Sequence, residues 1–449
     1  MAAIKIFTKK DSTRLRYVLD WAFKQVFHIT YELENDEAAL VDEAFFIAYG
    51  ASFPNAISIP DSGLLWQENI QPHEISCGNW CQIPTLYHQA ASDTTLPFDC
   101  FSAIFFLISR YEEYYPFKAD KYGRYPAKES ILYKNNWLQR PLIDEWLYEL
   151  YTILKEKGVP VFLSAYKYIP TYDIDMAYSY KHKGIRRNIG GFLRSILRGD
   201  TTEIRRRHQV LLSKALDPYD SFVAIKRLHT NYHLRPFYFI LSALKTTEYD
   251  KNISPKNNVM QRLIKRLQQD GTIGLHPSFY SDIAKVFKEE HSILRQITNE
   301  PITHSRQHYI KLSLSSTYRY LIAHGIHHDY SMGYGSHLGF RCGTGRSFYW
   351  YDLAAESPSG LHIHPFCFMD TTAHFEEKLS IKETFMAYSK MQQYLQNTQS
   401  QLVTVFHNFS LGTDPEWAGW ARLYEEMIQF SIPEFTKIIC VTDKEYEEA

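Results

Sequence analysis

Three apolar, strand-like segments in the second part of the chain each run directly into an ionisable residue. These segments are Tyr168–Tyr172 before Asp173, Thr272–Leu275 before His276, and Leu402–Phe406 before His407. Helical segments separate them along the chain, an alternation that is typical of α/β folds with a parallel sheet. Because the strand ends of a (β/α) barrel converge on one face, the three polar side chains are predicted to share a site there.

The first part of the chain has its own alternation of strand and helix patterns. Ile4–Phe7 is predicted to be a strand, and Ser12–Phe27 an amphipathic helix that begins at Ser12 as N-cap. A third segment, Asp99–Tyr114, is apolar on nearly all sides up to Ser109, which predicts a buried helix. This pattern indicates a smaller α/β unit ahead of the barrel.

A pattern typical of a helix C-terminus lies between the two units. The helix predicted over Ile143–Lys157 is followed by Gly158 and then Pro160, the usual order at a helix C-terminus. At 449 residues the chain also exceeds the ~250–300 residues that one hydrophobic core usually organises. We therefore predict an N-terminal α/β accessory domain over residues 1–160 and a barrel domain over residues 161–449.

Composition narrows the possible partners and compartments. The chain has 49 Lys and Arg against 50 Asp and Glu, so no basic excess supports a nucleic-acid partner. The N-terminal residues lack the apolar core of a signal peptide, and the apolar run Ala103–Ile108 is far shorter than the ~20 residues of a transmembrane helix. Six cysteines without paired spacing are typical of a reducing compartment. The expectation is a cytoplasmic protein without a transmembrane segment.

One segment stands apart in composition. Residues 181–215 are rich in Lys, Arg and Gly and lack a strong hydrophobic periodicity. We interpret them as an insertion or as a mobile helical segment at the surface.

The segment Thr171–Asp175 places two carboxylates at the end of a strand. Asp173 and Asp175 are two residues apart, and positions i and i+2 of a strand point to the same face. Two carboxylates held this close repel each other, and a divalent cation beside them would relieve the repulsion. The alternative is a solvated turn that closes the strand.

Two histidines could complete a metal site with one of these acids. His276 ends a strand, and His308 follows 32 positions later, so that only the fold could bring the two together. One Asp and two His form a three-ligand set for catalytic zinc and leave a position open for water. A structural or merely solvated role remains open for each histidine alone.

Two further residues have side chains suited to catalysis. Arg341 lies between the small residues of Gly339–Thr344, where the backbone can approach a ligand, and an arginine there could hold a carboxylate ionised. A surface salt bridge is the alternative. His407 carries the side chain best suited to give a proton to a leaving amine near neutral pH.

Five ordered pieces of sequence together carry a family resemblance. They are TYDID at 171–175, GLHPS at 274–278, SRQHY at 305–309, the pair DYSMGY at 329–334 and GFRCGT at 339–344, and VFHN at 405–408. Over roughly residues 165–430 the chain resembles the polysaccharide deacetylases of the NodB-homology type, which are metal-dependent carbohydrate esterases. The resemblance implies a distorted (β/α) barrel of that type, preceded here by the smaller α/β domain.

The resemblance also implies roles for individual residues. Asp173 matches the general base, Asp175 and His276 match metal ligands, Arg341 matches the residue that tethers the base, and His407 matches the general acid. Four residues close in sequence to Arg341 are the candidates for substrate binding: Tyr334, Phe340, Gly343 and Thr344. For the two aromatic residues, a place in the hydrophobic core is the alternative.

One position departs from the family pattern. The usual second motif is HxxxH, but the residue four positions after His276 is Tyr280. His308 resembles a substitute for the missing histidine, and without it the site would have only two ligands. Asp370 is a candidate to orient His407, with His364 and Asp352 as competitors.

Two N-terminal blocks, residues 105–113 and 120–126, resemble the accessory domain found ahead of a subgroup of these deacetylases. Their charged residues Arg110, Glu112, Glu113 and Arg124 could form a sugar-facing cluster or an interdomain salt-bridge network, and the second arrangement is favoured.

The resulting functional hypothesis is a zinc-dependent hydrolase of amide bonds that removes acetyl groups from a sugar or glycan precursor. An N-acetyl group is favoured over an O-acetyl group. Without a recognisable export signal, we expect a cytoplasmic precursor, lipid-linked or nucleotide-linked. The alternatives are a non-catalytic carbohydrate-binding protein derived from the same barrel and a glycoside hydrolase on a related barrel.

Overall fold

The computed structural model describes residues 3–432 apart from 42, 44, 90–93 and 283. Within these residues the chain is a mixed α/β protein with a four-stranded sheet, a nine-stranded sheet and one two-stranded hairpin. The end of the predicted second domain, residues 433–449 with Cys440, lies outside the described residues. None of the helices in the described part combines the length and hydrophobicity that a bilayer-spanning segment needs.

The N-terminal part contains a parallel sheet of order β2-β1-β3-β4, a hairpin of β5 and β6, and four helices. The strands are β1 (Ile4–Phe7), β2 (Tyr31–Glu34), β3 (Phe46–Tyr49), β4 (Ala56–Ile59), β5 (Cys77–Trp80) and β6 (Ile83–Leu86). The helices are α1 (Thr13–Leu19), α2 (Cys100–Ile108), α3 (Ile131–Lys134) and α4 (Leu142–Glu156).

The predicted N-terminal helices form, with two differences at their ends. Ser12 caps α1 by accepting from the backbone N–H of Leu15, and the helix continues as a π-helical turn over Asp20–Val26. All nine residues of α2 are buried, as its apolar composition predicts. That helix ends at Ile108 instead of Tyr114, because Arg110 has a left-handed backbone conformation with φ of +56°.

The large sheet has the strand order β12-β13-β11-β10-β9-β8-β7-β15-β14, and only the β12–β13 pair is antiparallel. Its strands are β7 (Lys167–Ile174), β8 (Phe237–Leu241), β9 (Thr272–His276), β10 (His304–Ser305), β11 (His328–Asp329), β12 (Phe348–Asp352), β13 (Ser357–Ile363), β14 (Phe368–Met369) and β15 (Gln401–His407). The predicted α/β architecture with a parallel sheet is confirmed. No strand pairing among the described residues joins β12 to β14, so closure of the barrel stays a prediction.

Eight helices of the described chain accompany this sheet. They are α5 (Ile185–Leu197), α6 (Thr201–Leu211), α7 (Phe222–Asn231), α8 (Asn258–Asp270), α9 (Ala284–Thr298), α10 (Leu314–Ala323), α11 (Ile381–Asn397) and α12 (Trp420–Ser431). The basic segment 181–215 folds largely into the helices α5 and α6, in agreement with the interpretation as a surface helical segment.

The register of the central strands aligns the candidate site residues. His407 of β15 lies opposite Asp173 of β7, and β9 continues one residue beyond its predicted end to include His276. Gly274 permits this close packing, because a Cβ at that position would lie 2.6 Å from the ring of Phe239. The sheet therefore brings three of the predicted residues to neighbouring strand ends.

Candidate active site

A cavity of about 260 Å³ lies at the carboxyl ends of β7, β9 and β15. Its lining includes five of the sequence-predicted site residues: Asp173, Asp175, His276, His308 and His407. The N-terminal part of the chain contributes Tyr122 and Arg124 to the same wall. The site is therefore built from distant segments of the chain, as expected for residues at the ends of different strands.

Asp175, His276 and His308 form a triangle of potential metal ligands. Their ligand atoms all lie within 4.8 Å of one another. Nε2 of His276 is 3.1 Å from Oδ1 of Asp175, and Nε2 of His308 is 3.4 Å from Oδ2. The Oδ1 atom is buried and lacks a hydrogen-bond partner, which is costly unless a cation or a proton satisfies it. This donor set fits a divalent metal ion.

Hydrogen bonds at Nδ1 orient the imidazoles of His276 and His308. Nδ1 of His276 lies 2.6 Å from the carbonyl oxygen of Arg306, and Nδ1 of His308 lies 3.0 Å from Oδ1 of Asp250. In each case the ring nitrogen donates, so Nε2 faces Asp175 with its lone pair when the ring is neutral. Such outer partners orient histidine ligands in metal sites.

The charges within the triangle shift the pKa values of Asp175 and His308. Burial alone would raise the pKa of Asp175, but the imidazoles of His308 and His276 hold it well below its usual range. Burial alone would lower the pKa of His308, but Asp175 and Asp250 raise it to about 9. A bound cation would supply the same compensation to the carboxylates.

Asp173 lies beside the triangle and is paired with an arginine that differs from the predicted one. Nη1 of Arg306 donates to Oδ1 of Asp173 over 2.8 Å, and Oδ2 of Asp173 is 3.8 Å from Nε2 of His276. The guanidinium of Arg306 also packs over the ring of Phe239 at 4.5 Å and is fully buried. This arginine holds the candidate base in place.

The predicted tether, Arg341, is therefore wrong. Its Nε donates to Oε1 of Glu113 over 2.8 Å, and its Nη1 donates to the carbonyl oxygen of Gly333. Glu113 also accepts from Nε of Arg110 over 2.8 Å. Arg341 thus forms a buried salt-bridge network with Glu113 and Arg110, two of the N-terminal charged residues.

The four predicted substrate-binding residues contact the N-terminal part of the chain, and none of them lines the cavity. The hydroxyl of Tyr334 accepts from Arg110, and the backbone N–H of Phe340 donates to the carbonyl of Leu138. The carbonyl of Gly343 accepts from the N–H of Ile143, and Thr344 donates to Asp144 over 2.6 Å. All four are buried. The small residues around Arg341 therefore allow close approach of another part of the chain.

His407 also lies beside the triangle and is oriented by Asp370. Its Nε2 lies 3.4 Å from Oδ2 of Asp175, and its Nδ1 donates to Oδ1 of Asp370 over 2.7 Å. Burial would lower the pKa of His407, but Asp370 and Asp175 raise it well above the usual value. The competitors are engaged elsewhere: Asp352 pairs with Arg319, and His364 contacts His328.

Three functional candidates were not predicted as site residues from the sequence. Arg306 occurs two positions before His308, within the segment SRQHY that the family resemblance had already singled out. Arg124 was assigned only to a charged network, yet it lines the cavity while its Nη1 donates to the carbonyl of Tyr309 over 2.6 Å. Asp250 follows the end of β8 by nine residues, and no local pattern indicates its contact with His308.

Comparison with known proteins gives matches of low similarity. A family model described as a family of unknown function, DUF7033, matches residues 4–159, and a search of curated proteins gave no match. Among solved structures, a candidate polysaccharide deacetylase from Mycobacterium smegmatis aligns at 9% identity and a TM-score of 0.39, covering 61% of this chain and 86% of that one.

Two further solved structures show similar values. A polysaccharide deacetylase from Bacillus cereus aligns at 10% identity and a TM-score of 0.27, covering 59% of this chain and 87% of that one. An allantoinase aligns at 9% identity and a TM-score of 0.38, covering 71% and 91%. These identities and TM-scores are too low to indicate a function, so a functional assignment depends on the geometry of the site.

Proposed function

We propose that this protein is a zinc-dependent deacetylase that hydrolyses the amide bond of an N-acetylated sugar or glycan precursor. The observation that carries the proposal is the triangle of Asp175, His276 and His308, with Asp173 close to His276 and His407 close to Asp175. Two imidazoles and one carboxylate are a common ligand set of catalytic zinc, which keeps one position open.

Asp175, His276 and His308 would hold the ion, and Asp173 would act as general base. When bound, zinc would act as a Lewis acid toward the amide carbonyl and lower the pKa of water. Asp173 is positioned to accept the proton of an attacking water, because Arg306 fixes one of its oxygens and leaves the other facing His276. The base and the metal ligands are thus held within one hydrogen-bonded unit.

His407 is suited to protonate the amine that leaves when the amide bond breaks. The Asp370 carboxylate accepts from Nδ1 of His407 and keeps Nε2 directed at the cavity. The raised pKa of His407 keeps a proton available on this ring at neutral pH. A candidate base and a candidate acid, each next to a metal ligand, match the two proton transfers that amide hydrolysis requires.

The cavity walls are suited to a sugar. The rings of Tyr122, Tyr309 and Phe409 line the cavity together with the charged side chains of Arg124 and Lys251. Aromatic faces can stack on sugar rings, and the charged groups can bond hydroxyl or anionic substituents. The volume of about 260 Å³ lies below the ~300–1,000 Å³ of typical drug-sized pockets, which favours one acetylated unit in the site.

Metal analysis and acetate release test the proposal. Purified protein is stripped with a chelator, reloaded with zinc, and incubated with an N-acetylglucosamine disaccharide and, in parallel, with an O-acetylated sugar. We expect Asp175→Ala to lose one zinc per chain and its acetate release. Asp173→Asn should keep its zinc and lose about 10²–10⁴ in rate. Asp270→Asn, at an exposed salt bridge with Lys226, is the matched control.

One other outcome would contradict the proposal, and two would favour an alternative function. Unchanged zinc content and acetate release in Asp175→Ala would contradict the proposal. Zinc binding without acetate release, together with saturable binding of the sugar, would favour the carbohydrate-binding alternative. A new reducing end in place of acetate would favour a glycoside hydrolase.

A further inference from the structure

Four histidines form a second cluster at the ends of neighbouring strands of the large sheet. His304, His328 and His362 occupy directly paired positions on β10, β11 and β13, and His364 lies two residues after His362. The rings of His304 and His328 stack at 4.5 Å, and those of His362 and His364 lie 4.6 Å apart. None of the four lines the candidate active site.

The cluster lies far from the triangle of Asp175, His276 and His308. Ser347 contacts both His364 and Gln401, the first residue of β15, whereas His407 is the last residue of that strand. Six residue steps along a strand correspond to roughly 20 Å. The two histidine groups are therefore separate sites.

A hydrogen-bond chain fixes the tautomer of His364. The hydroxyl of Ser347 donates to Oε1 of Gln401 over 2.9 Å, so its oxygen accepts from Nδ1 of His364 over 2.8 Å. Nε2 of His364 is then left with its lone pair, and it lies 3.0 Å from Nδ1 of His328. A ring oriented in this way by its other nitrogen is arranged as a metal ligand would be.

We propose that His328, His362 and His364 form a second metal site for a divalent transition-metal ion such as zinc. Their ligand nitrogens lie within 4.8 Å of one another, and all three side chains are half-buried, so an ion can reach them from solvent. A set of three neutral imidazoles suits zinc, copper or nickel and disfavours magnesium or calcium.

Zinc stoichiometry in single and double variants tests this site independently of activity. In His276→Ala, which lacks a ligand of the active-site triangle, we expect one zinc per chain to remain. Adding His362→Ala should remove it, and adding His337→Ala, at a half-buried histidine outside the cluster, should not. Circular dichroism verifies that each variant is folded.

A second measurement covers the case in which the double variant fails to fold. Wild-type protein and His362→Ala are titrated with Co²⁺, whose visible absorption reports on imidazole coordination. Wild type should bind one Co²⁺ more than the variant. Equal stoichiometry in wild type and His362→Ala, or unchanged zinc when His362→Ala is added to His276→Ala, would overturn the second site.

A different feature, the helical pair α5–α6, carries an independent inference. Large apolar side chains at positions 1, 5, 9, 12 and 13 of α5 are exposed and form one stripe along the helix. They are Ile185, Ile189, Leu193, Ile196 and Leu197. A continuous apolar stripe of this kind on a helix surface marks an interaction site.

The charge around the stripe is strongly positive. Residues 181–215 contain ten Lys and Arg against two acids, Asp200 and Glu203, and no acid occurs between residues 185 and 198. Arg186 and Arg194 are exposed beside the apolar stripe. An amphipathic helix with a basic polar face is the pattern of helices that lie in the interface of an anionic bilayer.

The helix α5 is also joined to the wall of the cavity. The helical pair follows β7, the strand that contains Asp173. Arg187 of α5 donates through Nη2 to the carbonyl of Lys251 over 2.8 Å, and Lys251 lines the cavity. Arg187 lies on the face of α5 away from the stripe, so the helix contacts the protein through one face and leaves the stripe free on another.

We infer that α5–α6 docks this protein onto the surface of a bilayer rich in anionic phospholipid. The apolar stripe enters the boundary between headgroups and acyl chains, and the arginines beside it bind lipid phosphates. The arginines beside the stripe are complementary in charge to anionic phospholipid. This complementarity identifies an anionic membrane surface as the binding partner.

Vesicle flotation tests the docking surface. Wild-type protein should float with vesicles of phosphatidylcholine mixed with phosphatidylglycerol and should bind far more weakly to phosphatidylcholine alone. The variant Ile189→Ser/Leu193→Ser/Ile196→Ser should lose more than ~10-fold in partitioning, because three exposed apolar side chains that would enter the bilayer are removed. Val223→Ser, at an exposed apolar position on α7, is the matched control.

Two outcomes would overturn the membrane proposal. One is equal flotation of wild type and the triple variant. The other is a concentration-dependent dimer in analytical ultracentrifugation that the triple variant abolishes while vesicle binding is absent in both proteins. That second result would assign the stripe to contact between two copies of the chain.

Discussion

Nη1 of Arg306 lies 2.8 Å from Oδ1 of Asp173, and two residues further along the same segment His308 faces Asp175. The carbonyl of Arg306 also accepts from Nδ1 of His276. One short segment after β10 therefore positions the candidate base and orients two candidate metal ligands. A change at Arg306 is expected to disturb the base more than the metal, because only its side chain contacts Asp173.

Arg306→Gln is expected to lower kcat for acetate release by ~10²–10³, since the base loses the group that fixes it. KM and zinc content should change little, because the backbone carbonyl that binds His276 is retained. Steady-state kinetics and metal analysis on the folded variant measure this. Arg319→Gln, which removes a partner of Asp352 outside the cavity, is the control. A kcat within a few-fold of wild type in Arg306→Gln would contradict the role.

Asp250→Asn is expected to weaken zinc binding about 10–100-fold, the usual effect of removing an outer carboxylate from a histidine ligand. Asp250 accepts from Nδ1 of His308 and is itself held by the backbone N–H of Phe279. Competition with a chromogenic chelator gives the affinity. Asp282→Asn, at an exposed acid that pairs with Lys311, should bind zinc as wild type does. Equal affinities in the two variants would exclude Asp250 as an orienting residue.

The sequence was sufficient for site residues whose placement depends on local geometry. Asp173 lies near the end of β7 and Asp175 directly follows this strand, and His276 and His407 end apolar segments that belong to the same sheet. His308 could be proposed from the resemblance, but its approach to Asp175 depends on the path of the chain after β10.

The sequence was insufficient where a pattern had two physical explanations. The small residues around Arg341 do indicate close approach of another backbone, since a Cβ on Gly339 would lie 2.4 Å from the carbonyl oxygen of Leu138. That backbone belongs to the N-terminal part of the chain, at Leu138, and not to a substrate. Spacing along the chain cannot distinguish these two neighbours, because both require the same absence of side chains.

Glu113→Gln is expected to destabilise the fold by about 3–5 kcal/mol, because it leaves the buried cations Arg341 and Arg110 short of their carboxylate. Burial would raise the pKa of Glu113, but these two guanidinium groups lower it below its usual range, so the ionised form is the one that stabilises the fold. Urea unfolding measures the loss.

The control for this ion pair is an exposed one. Glu426→Gln removes the partner of Arg422 on the surface of α12, where the loss should be at most about 1 kcal/mol. If Glu113→Gln also loses at most about 1 kcal/mol of unfolding free energy, the salt-bridge network of Arg110, Glu113 and Arg341 contributes little to stability.

His229 is expected to make stability depend on pH between about 4 and 6.5. Burial lowers the pKa of this histidine to about 4, and its Nε2 lies 2.8 Å from the hydroxyl of Tyr172. Because the unfolded state binds the proton more readily, the contribution of His229 is complete above pH 6.5 and is lost as the pH falls toward 4. At pH 5 the loss should be about 2 kcal/mol.

The variant His229→Gln cannot take up this proton, so its unfolding free energy should fall less than that of wild type between pH 7.5 and pH 5. Urea unfolding of both proteins at the two pH values gives the difference. His208→Gln, at an exposed histidine on α6, should follow wild type. If His229→Gln loses as much stability as wild type over this range, the buried ring is not the group that senses the acid, because a neutral glutamine has no proton to gain.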